Sequence, residues 1–407
     1  MRRIVLVLGL ILMGVVVSVG VTQAQSGVTV LTLNDVRLRT GPGTKFDVIA
    51  TIPANTTLTA SARTAAGDWV RVDFQGHVGW VYAAQLRIKG NFFSLPVGDV
   101  ASTPVPGGQP PTATPGPPPD GTVESLTPYA STDRVDYYRL VYWSDGLRVK
   151  GYFAEPKGYD KHAAVIFNRG GNRNTGALNG MELVPFAEVG MVAVATQLRG
   201  VLGGDGQEEF GGADVHDVLN LIPFLKSRSS VDPNRIAIFG SSRGGMMTYL
   251  ALKSQTQRGG GDLKVAATVS GVADLFMWDS EHPELTRPLF AELLGATPRT
   301  SAAPFVDRSA TYWPGLIRVP ILIEHGESDS TVSIKQSRKL YAQLKSIGAA
   351  VKFIAFPGDQ HGLPNNQGGL PEALKWFQKY IAKPGESFDF FEHQDAIYHA
   401  FAVLKGR

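Results

Sequence analysis

The sequence predicts an α/β protein in which a mostly parallel, doubly wound sheet follows a small all-β barrel. From Tyr129 onward, nearly continuous apolar runs such as AAVIFN and RIAIFGS alternate with amphipathic helical stretches. That alternation is typical of a parallel sheet covered by helices on both faces. Between Val28 and Lys89, short β-branched runs are separated by turns and show no helical periodicity. This second pattern favours a small barrel of antiparallel strands.

The composition limits the classes of protein that the chain can represent. The chain has 407 residues, of which 43% are hydrophobic, and this is enough for at least one large buried core. The formal net charge of +3 gives no reason to expect a nucleic-acid partner. Because there is no cysteine, disulfides, thiolate metal sites and cysteine nucleophiles are excluded.

The N-terminus has the layout of a secretory signal peptide. Arg2 and Arg3 precede an apolar run from Ile4 to Val21, and the small residues Thr22 and Ala24 follow. We expect a signal peptide over residues 1–24 and a secreted or cell-envelope protein. The alternative is an uncleaved membrane anchor, since the apolar run approaches the length that spans a bilayer.

Composition also divides the exported part of the chain. The barrel is predicted over residues 27–90 and a linker over residues 91–125. Pro96 to Gly121 contains nine prolines and five glycines, and such a segment is a semi-rigid spacer. The sheet domain is expected over residues 126–385, followed by a C-terminal helical extension over residues 386–407.

One turn in the sheet domain has the pattern of a nucleophile elbow. The strand Arg235 to Ser241 enters Gly240-Ser241-Ser242-Arg243-Gly244, which is G-x-S-x-G between a strand and a helix. Glycines at both ends let the turn close and expose the Ser242 hydroxyl. The N–H of Arg243, at the start of the helix, is placed to stabilise a developing oxyanion.

A serine nucleophile needs a base and an acid, which on this fold follow it in the order acid, then histidine. Asp329 comes just after the strand Val319 to His325, and His361 just after the strand Val351 to Phe356. Carboxyl ends of neighbouring parallel strands share one edge of the sheet, so we predict a Ser242, Asp329, His361 triad. Glu327 is the alternative acid.

Other polar residues carry weaker predictions. Asp359 lies in the same tight loop as His361 and is poorly placed to orient its ring. His325 ends an apolar strand and is expected to be structural. Asp214, His216 and Asp217 do not converge on one point of a helix, so no metal site is expected.

The barrel segment resembles the bacterial SH3-like family. The resemblance rests on Val36 to Gly43, on Gly67-Asp68-Trp69-Val70 and on Gly79-Trp80-Val81. It implies an exported protein whose barrel binds a cell-wall peptide or another envelope ligand. Trp69, Trp80 and Tyr82 are candidates for a ligand groove, and core packing is the alternative for each.

The larger domain resembles the catalytic domain of the prolyl oligopeptidase family, within the α/β-hydrolase fold. The motifs are Asn168-Arg169-Gly170-Gly171, Leu198-Arg199-Gly200, Gly240 to Gly245, His325 to Asp329, and Gly358 to Gly362. The resemblance implies acyl transfer, with a second oxyanion donor from the Arg169-Gly170-Gly171 loop. Arg169 departs from the family, where a Tyr or His often precedes the glycine pair.

These observations predict an exported serine peptidase that forms an acyl-enzyme on Ser242 and needs no metal or organic cofactor. Its substrate is a peptide, or a small ester if the alternative, a carboxylesterase on small or acetylated esters, is correct. A third hypothesis is that the protein is a wall-binding adaptor whose hydrolase domain is inactive. A membrane is expected as a partner only if the N-terminal segment stays uncleaved.

Overall fold

The computed structural model describes residues 28–406, except residues 45, 65–67, 90–91, 93–94, 99–116 and 159. The predicted signal peptide, and most of the predicted linker, lie outside the described residues. The chain divides into two compact units, Met1–Thr114 and Pro115–Arg407. None of the helices in the described ranges has the length and apolar character needed to cross a membrane.

The N-terminal unit is an antiparallel β module, as predicted. Its sheet has the strand order β3-β2-β6-β5-β4-β1-β7. The strands in the described part of this unit are β1 (Thr29–Thr32), β2 (Val36–Arg39), β3 (Val48–Ile52), β4 (Thr57–Arg63), β5 (Trp69–Phe74), β6 (His77–Tyr82) and β7 (Leu86–Lys89).

The aromatic residues of this module divide between core and surface. Trp69 and Trp80 are 7% and 3% exposed and pack with Ala62. Tyr82 is 41% exposed and lies against Trp69, with 5.4 Å between the ring centroids. The two tryptophans are therefore core residues, and of these three aromatics only Tyr82 offers a substantial surface to a ligand.

The second unit is built on a mixed sheet with the strand order β16-β15-β14-β13-β11-β12-β10-β9-β8. Six neighbouring strands pair in parallel, in the order β12-β11-β13-β14-β15-β16. Strands β10, β9 and β8 continue the sheet beyond β12 through antiparallel pairs. The strands are β8 (Val123–Ser131), β9 (Val135–Ser144), β10 (Leu147–Pro156), β11 (His162–Asn168), β12 (Val192–Thr196), β13 (Val231–Ser241), β14 (Leu263–Val269), β15 (Ile321–Gly326) and β16 (Val351–Phe356).

Helices cover both faces of this sheet, which confirms the predicted fold class. They are α1 (Val184–Glu188), α2 (Val215–Leu219), α3 (Leu221–Ser227), α4 (Arg243–Gln257), α5 (Leu275–Glu281), α6 (Pro283–Leu293), α7 (Ala303–Arg308), α8 (Ile334–Ser346), α9 (Leu370–Ile381) and α10 (Gln394–Lys405). Successive residues of a strand belong to two hydrophobic cores, one on each face of the sheet. Ile166 and Ile238 pack in the core with α2, α3, α4 and α8. Val165 and Ala237 pack in the core with α1, α9 and α10.

The two ends of this unit are an edge strand, β8, and a C-terminal segment that packs on the core. Strand β8 begins at Val123, ahead of the predicted start at residue 126, and its Pro128 is tolerated because β8 is an edge strand. At the other end, α10 packs against α1. Phe388 and Ile397 of the C-terminal segment are buried in the core on that face.

The carboxyl group of Glu324, in β15, is an exception inside the core. Glu324 is fully buried, and neither of its carboxyl oxygens has a hydrogen-bond partner in the structure. Burial, with a smaller contribution from Glu372, raises the pKa of Glu324 well above its usual range, and Lys352 offsets only part of this. The folded protein therefore holds this side chain in its neutral form at pH values where an unfolded chain would ionise it.

We expect Glu324→Gln to be more stable than the wild type at pH 8, with the difference shrinking as the pH falls towards 4. An unfolded glutamate ionises above about pH 4.3, so the wild type loses about 1.4 kcal/mol of unfolding free energy per pH unit between that value and the folded pKa. Thermal unfolding of both proteins from pH 4 to 8 measures this dependence.

Glu372→Gln is the matched control on α9. Although burial acts in the other direction, ion pairs with Lys352 and Lys375 lower the pKa of Glu372, so this variant should be destabilised near neutral pH and approach the wild type in acid. A stability difference for Glu324→Gln that is the same at every pH would contradict the assignment of a neutral, buried carboxyl group.

Candidate active site

Ser242 lies at the sharp turn between β13 and α4. Its backbone has φ 58° and ψ −124°, a conformation that residues other than glycine rarely adopt. The turn is too tight for Cβ atoms at its glycines. A Cβ on Gly240 would lie 2.1 Å from the carbonyl oxygen of Gly244, and one on Gly244 would lie 2.0 Å from that of Asn168. The G-x-S-x-G spacing therefore reflects the backbone packing of the turn.

The structure brings Ser242, Asp329 and His361 together in one hydrogen-bonded series. The Nε2 atom of His361 is 2.9 Å from the Ser242 hydroxyl oxygen, and its Nδ1 atom is 2.8 Å from Oδ2 of Asp329. The three residues follow β13, β15 and β16, which end at the same edge of the sheet. This is the geometry in which an imidazole can take a proton from a serine hydroxyl.

Asp329 is held by four donors. Its Oδ1 atom accepts the backbone N–H groups of Thr331 and Val332, each at 2.9 Å. Its Oδ2 atom faces His361 at 2.8 Å and His325 at 3.1 Å. Burial alone would raise the pKa of Asp329, but hydrogen bonds from His325, His361 and Val332 outweigh it and hold the pKa well below its usual range. Asp329 is therefore ionised at neutral pH.

The two other acidic residues weighed as partners of His361 have different contacts. Asp359 accepts hydrogen bonds from the Gln360 N–H and from the side chains of Asn365 and Asn366, so it braces the loop that carries His361. Glu327 pairs with Arg338 at the surface, 3.0 Å away. In the structure, neither carboxylate is a hydrogen-bond partner of the His361 ring.

The Gly170 backbone lies beside the serine. A Cβ on Gly170 would be 3.2 Å from the Ser242 Cβ and 3.9 Å from its hydroxyl oxygen. On the other side, Arg243 begins α4, so its N–H belongs to the first turn, which lacks intrahelical partners. The guanidinium group of Arg243 is turned away and pairs with Glu208 and Asp214. The Gly170 backbone and the first residue of α4 therefore both lie next to Ser242.

The Arg169 side chain is buried and turned into its own loop. Its guanidinium group donates to the carbonyl oxygens of Arg173, Thr175, Gly176 and Gln197, at distances from 2.5 to 3.1 Å. Burial, reinforced by the nearby Arg243, lowers the pKa of Arg169 to about 10. Since the guanidinium group is occupied by these carbonyl groups, Arg169 can contribute to an oxyanion site only through its backbone.

We expect Arg169→Met to lower kcat about 10- to 100-fold with a small change in KM. The substitution leaves four carbonyl groups without the guanidinium donor, so the loop that carries Gly170 should become less rigid. Complete loss of one oxyanion donor lowers kcat about 10²- to 10³-fold, and displacement of a donor should cost less than its loss. Steady-state kinetics of purified variants measures this. Arg169→Lys is the control: its single amine can reach some but not all of the four oxygens, so its kcat should lie between those of the wild type and of Arg169→Met. An unchanged kcat in Arg169→Met would refute the bracing role.

A cleft of about 330 Å³ adjoins the same loop. It is lined by Arg173, Gly200, Glu208 and Glu292, among others, and Arg173 forms an ion pair with Glu292 of α6. In the segment between β14 and β15, Phe290 and Phe305 are fully buried, whereas Tyr312 is 48% exposed. Trp278 also donates from its indole nitrogen to the Thr331 carbonyl, 2.9 Å away, and thereby ties this segment to the Asp329 loop.

Sequence reasoning missed the contacts of His325 and of the Arg169 side chain. The signal for His325 was its place at a strand end, four residues before Asp329. No local pattern pointed to the Arg169 contacts. Within the described ranges, no group of three or more His, Cys, Asp or Glu side chains is arranged to hold a metal ion.

A nucleophile elbow with a serine, a histidine and an aspartate in series, on a sheet of this topology, defines a serine hydrolase of the α/β-hydrolase fold. The model of the prolyl oligopeptidase family matches residues 178–384, and the bacterial SH3 domain model matches residues 34–86. The chain belongs to the prolyl oligopeptidase family, which confirms the resemblance seen in the motifs.

Individual proteins are similar to the chain in sequence or in fold. The uncharacterized peptidase YtmA of Bacillus subtilis is 32% identical to the chain over 61% of its length and 95% of that protein. A puromycin-hydrolyzing peptidase of Mycobacterium tuberculosis has a TM-score of 0.53 at 18% identity, covering 89% of this chain and 54% of that one. An acetyl xylan esterase from Paenibacillus sp. R4 has a TM-score of 0.51 at 18% identity, covering 63% and 88%. The two structural similarities support the fold.

Proposed function

We propose that the protein is an exported serine peptidase that cleaves its substrate through an acyl-enzyme on Ser242. The observation that carries the proposal is the continuous series from the Ser242 hydroxyl through His361 to the buried Asp329 carboxylate. Membership of the prolyl oligopeptidase family supports the choice of peptide bonds as substrate. The named relative of Bacillus subtilis, itself described as a peptidase, supports it as well.

The proposed reaction follows from the roles of the three side chains. His361 takes the hydroxyl proton through Nε2 while Ser242 attacks the carbonyl carbon, and Asp329 keeps the other ring nitrogen protonated. The oxyanion that forms is stabilised by the N–H of Arg243 and by a backbone N–H of the Arg169-Gly170 segment. His361 then gives its proton to the leaving amine, and water, activated by the same histidine, hydrolyses the ester on Ser242.

The second candidate function is a carboxylesterase on small or acetylated esters. The same nucleophile, base and oxyanion donors cleave an ester, whose alkoxide leaving group departs more readily than an amine. An acetyl xylan esterase shares this fold, with a TM-score of 0.51, so the fold does not by itself select peptides. We therefore keep the ester reaction as the alternative that the assay must exclude.

Parallel assays separate the two activities. The purified protein without residues 1–24 is incubated with a varied panel of peptide anilides and with p-nitrophenyl esters of short acids. Peptide cleavage that is lost in Ser242→Ala supports the peptidase; ester turnover without cleavage of any peptide supports the esterase. Labelling by a fluorophosphonate probe tests both against the inactive adaptor, for which native Ser242 should stay unlabelled.

The proposal also places the enzyme outside the cytoplasm. The predicted signal peptide, together with the bacterial SH3 domain match, supports export and a role for the β module as a tether to an envelope ligand. The exposed Tyr82 is the proposed contact residue, since Trp69 and Trp80 are buried. Co-sedimentation of the protein with purified cell walls, compared with Tyr82→Ala, tests this: equal binding of the two proteins would remove Tyr82 from the ligand site.

A further inference from the structure

A second histidine, His325, contacts the same oxygen of Asp329 as His361. His325 lies in β15, is fully buried, and its Nε2 atom is 3.1 Å from Oδ2 of Asp329. The same Nε2 atom is 2.8 Å from the carbonyl oxygen of Val332. On the other side of the ring, Nδ1 is 2.7 Å from the hydroxyl oxygen of Ser337, in α8. Both ring nitrogens of His325 are thus engaged.

These partners determine which ring nitrogen carries the proton. A carbonyl oxygen can only accept, so Nε2 of His325 must be the N–H donor, shared between Val332 and Asp329. The hydroxyl group of Ser337 can donate, so Nδ1 acts as its acceptor in the neutral ring. His325 is therefore oriented by α8 and by the Val332 backbone, and it presents its N–H to the carboxylate.

The position of His325 affects both the orientation and the charge of Asp329. With two backbone N–H groups on Oδ1 and two histidines on Oδ2, the carboxylate has little freedom to rotate away from His361. A hydrogen bond to the carboxylate also draws on its negative charge and so weakens its attraction for a proton on His361. Loss of that bond would make the Asp329 and His361 pair more basic.

We propose that His325 is a positioning residue of the hydrolase, which holds Oδ2 of Asp329 towards His361 and sets the pH at which the pair becomes active. The inference rests on the proposed function of Ser242, Asp329 and His361. It goes beyond that function by assigning a task to a buried residue that does not touch the serine or the substrate.

The other charged groups near Asp329 and His361 form ion pairs or hydrogen bonds with other partners. On α8, Arg338 pairs with Glu327 and Lys339 with Asp274, while Lys335 is near Glu281. Beside the serine, the guanidinium group of Arg243 is bound by Glu208 and Asp214. In the loop of His361, the carboxylate of Asp359 is bound by backbone and amide donors. The neutral Glu324, next to His325 in the strand, faces α9 near Gly369.

The matched pair His325→Asn and His325→Gln tests the proposal. A glutamine amide can reach the position of Nε2 and donate to Asp329, whereas an asparagine amide is one methylene shorter and reaches only the position of Nδ1. We expect His325→Asn to lower kcat about 10- to 100-fold and to move the acid limb of the pH dependence of kcat/KM upward by about one unit. His325→Gln should restore the acid limb of the wild type and most of kcat.

Ser337→Ala is the control, because it removes the partner of Nδ1 and leaves the N–H on Asp329. Its acid limb should match that of the wild type. An acid limb that is the same in the asparagine and glutamine variants overturns the proposal, since a purely structural role would not distinguish them. If Ser242 of the wild type is not labelled by a fluorophosphonate, the proposed function fails; if it is labelled but the two variants agree, only the role of His325 fails.

A measurement on the unmodified protein does not depend on the folding of any variant. The ¹⁵N shifts of the histidine rings, recorded at pH 8, report which ring nitrogen carries the proton. We expect the neutral ring of His325 to be protonated on Nε2. Protonation on Nδ1 instead would overturn the proposal, because the ring would then have no N–H to give to Asp329.

Discussion

Ser242→Ala is expected to lower kcat/KM by about 10⁴- to 10⁶-fold while the protein stays folded. The substitution removes the hydroxyl oxygen that is 2.9 Å from Nε2 of His361, and the neighbouring Ser241 is not a hydrogen-bond partner of that ring in the structure. The residual rate would come from water attack on a substrate bound next to the oxyanion donors. The measurement is hydrolysis of the best substrate from the peptide and ester panels, together with loss of fluorophosphonate labelling.

Ser242→Gly is the control that separates chemistry from the strained backbone. The φ of 58° at Ser242 costs about 1–3 kcal/mol for a residue with a Cβ atom, and glycine removes most of this cost. The glycine variant should therefore be as inactive as the alanine variant but unfold at the same temperature or higher. Residual activity in either variant within about tenfold of the wild type would show that Ser242 is not the nucleophile.

Asp329→Asn is expected to lower kcat by about 10⁴-fold. The carboxyamide has one oxygen, which the N–H groups of Thr331 and Val332 will claim, since both can only donate. The amide nitrogen must then face the two histidines. Its N–H would donate to Nδ1 of His361 and place the ring proton on Nε2, where it blocks removal of the Ser242 proton.

His325 makes this substitution more disruptive than in a triad with one histidine. Its Nε2–H, which now donates to Oδ2, would oppose the new N–H groups of the amide, so one of the two side chains must move. Rates of substrate turnover and of fluorophosphonate labelling, measured from pH 6 to 9, test the prediction. Glu327→Gln is the control at the surface of the same loop and should stay within about twofold of the wild type; a larger loss there than in Asp329→Asn would make Glu327 the acid.

Local patterns were sufficient for most of the fold. The run AAVIFN lies in β11 and RIAIFGS forms the end of β13, because a short apolar run that alternates with helical stretches is typical of a strand buried on both faces. The stretch DVHDVLNLIPFLKS reads as one helix but forms two, α2 and α3, with Asn220 between them. Strand β8 was not predicted, since an edge strand with exposed positions and an internal proline has a weak pattern.

Strand patterns were enough to place Ser242, Asp329 and His361 after strands of one parallel sheet. Chain order and strand direction then bring such residues to one edge, whatever the details of packing. The contacts of Arg169 and of His325, in contrast, are visible only in the folded structure. Those contacts depend on the path of irregular loops, in which backbone carbonyl groups of distant residues meet a single side chain, and hydrophobic periodicity carries no information about such paths.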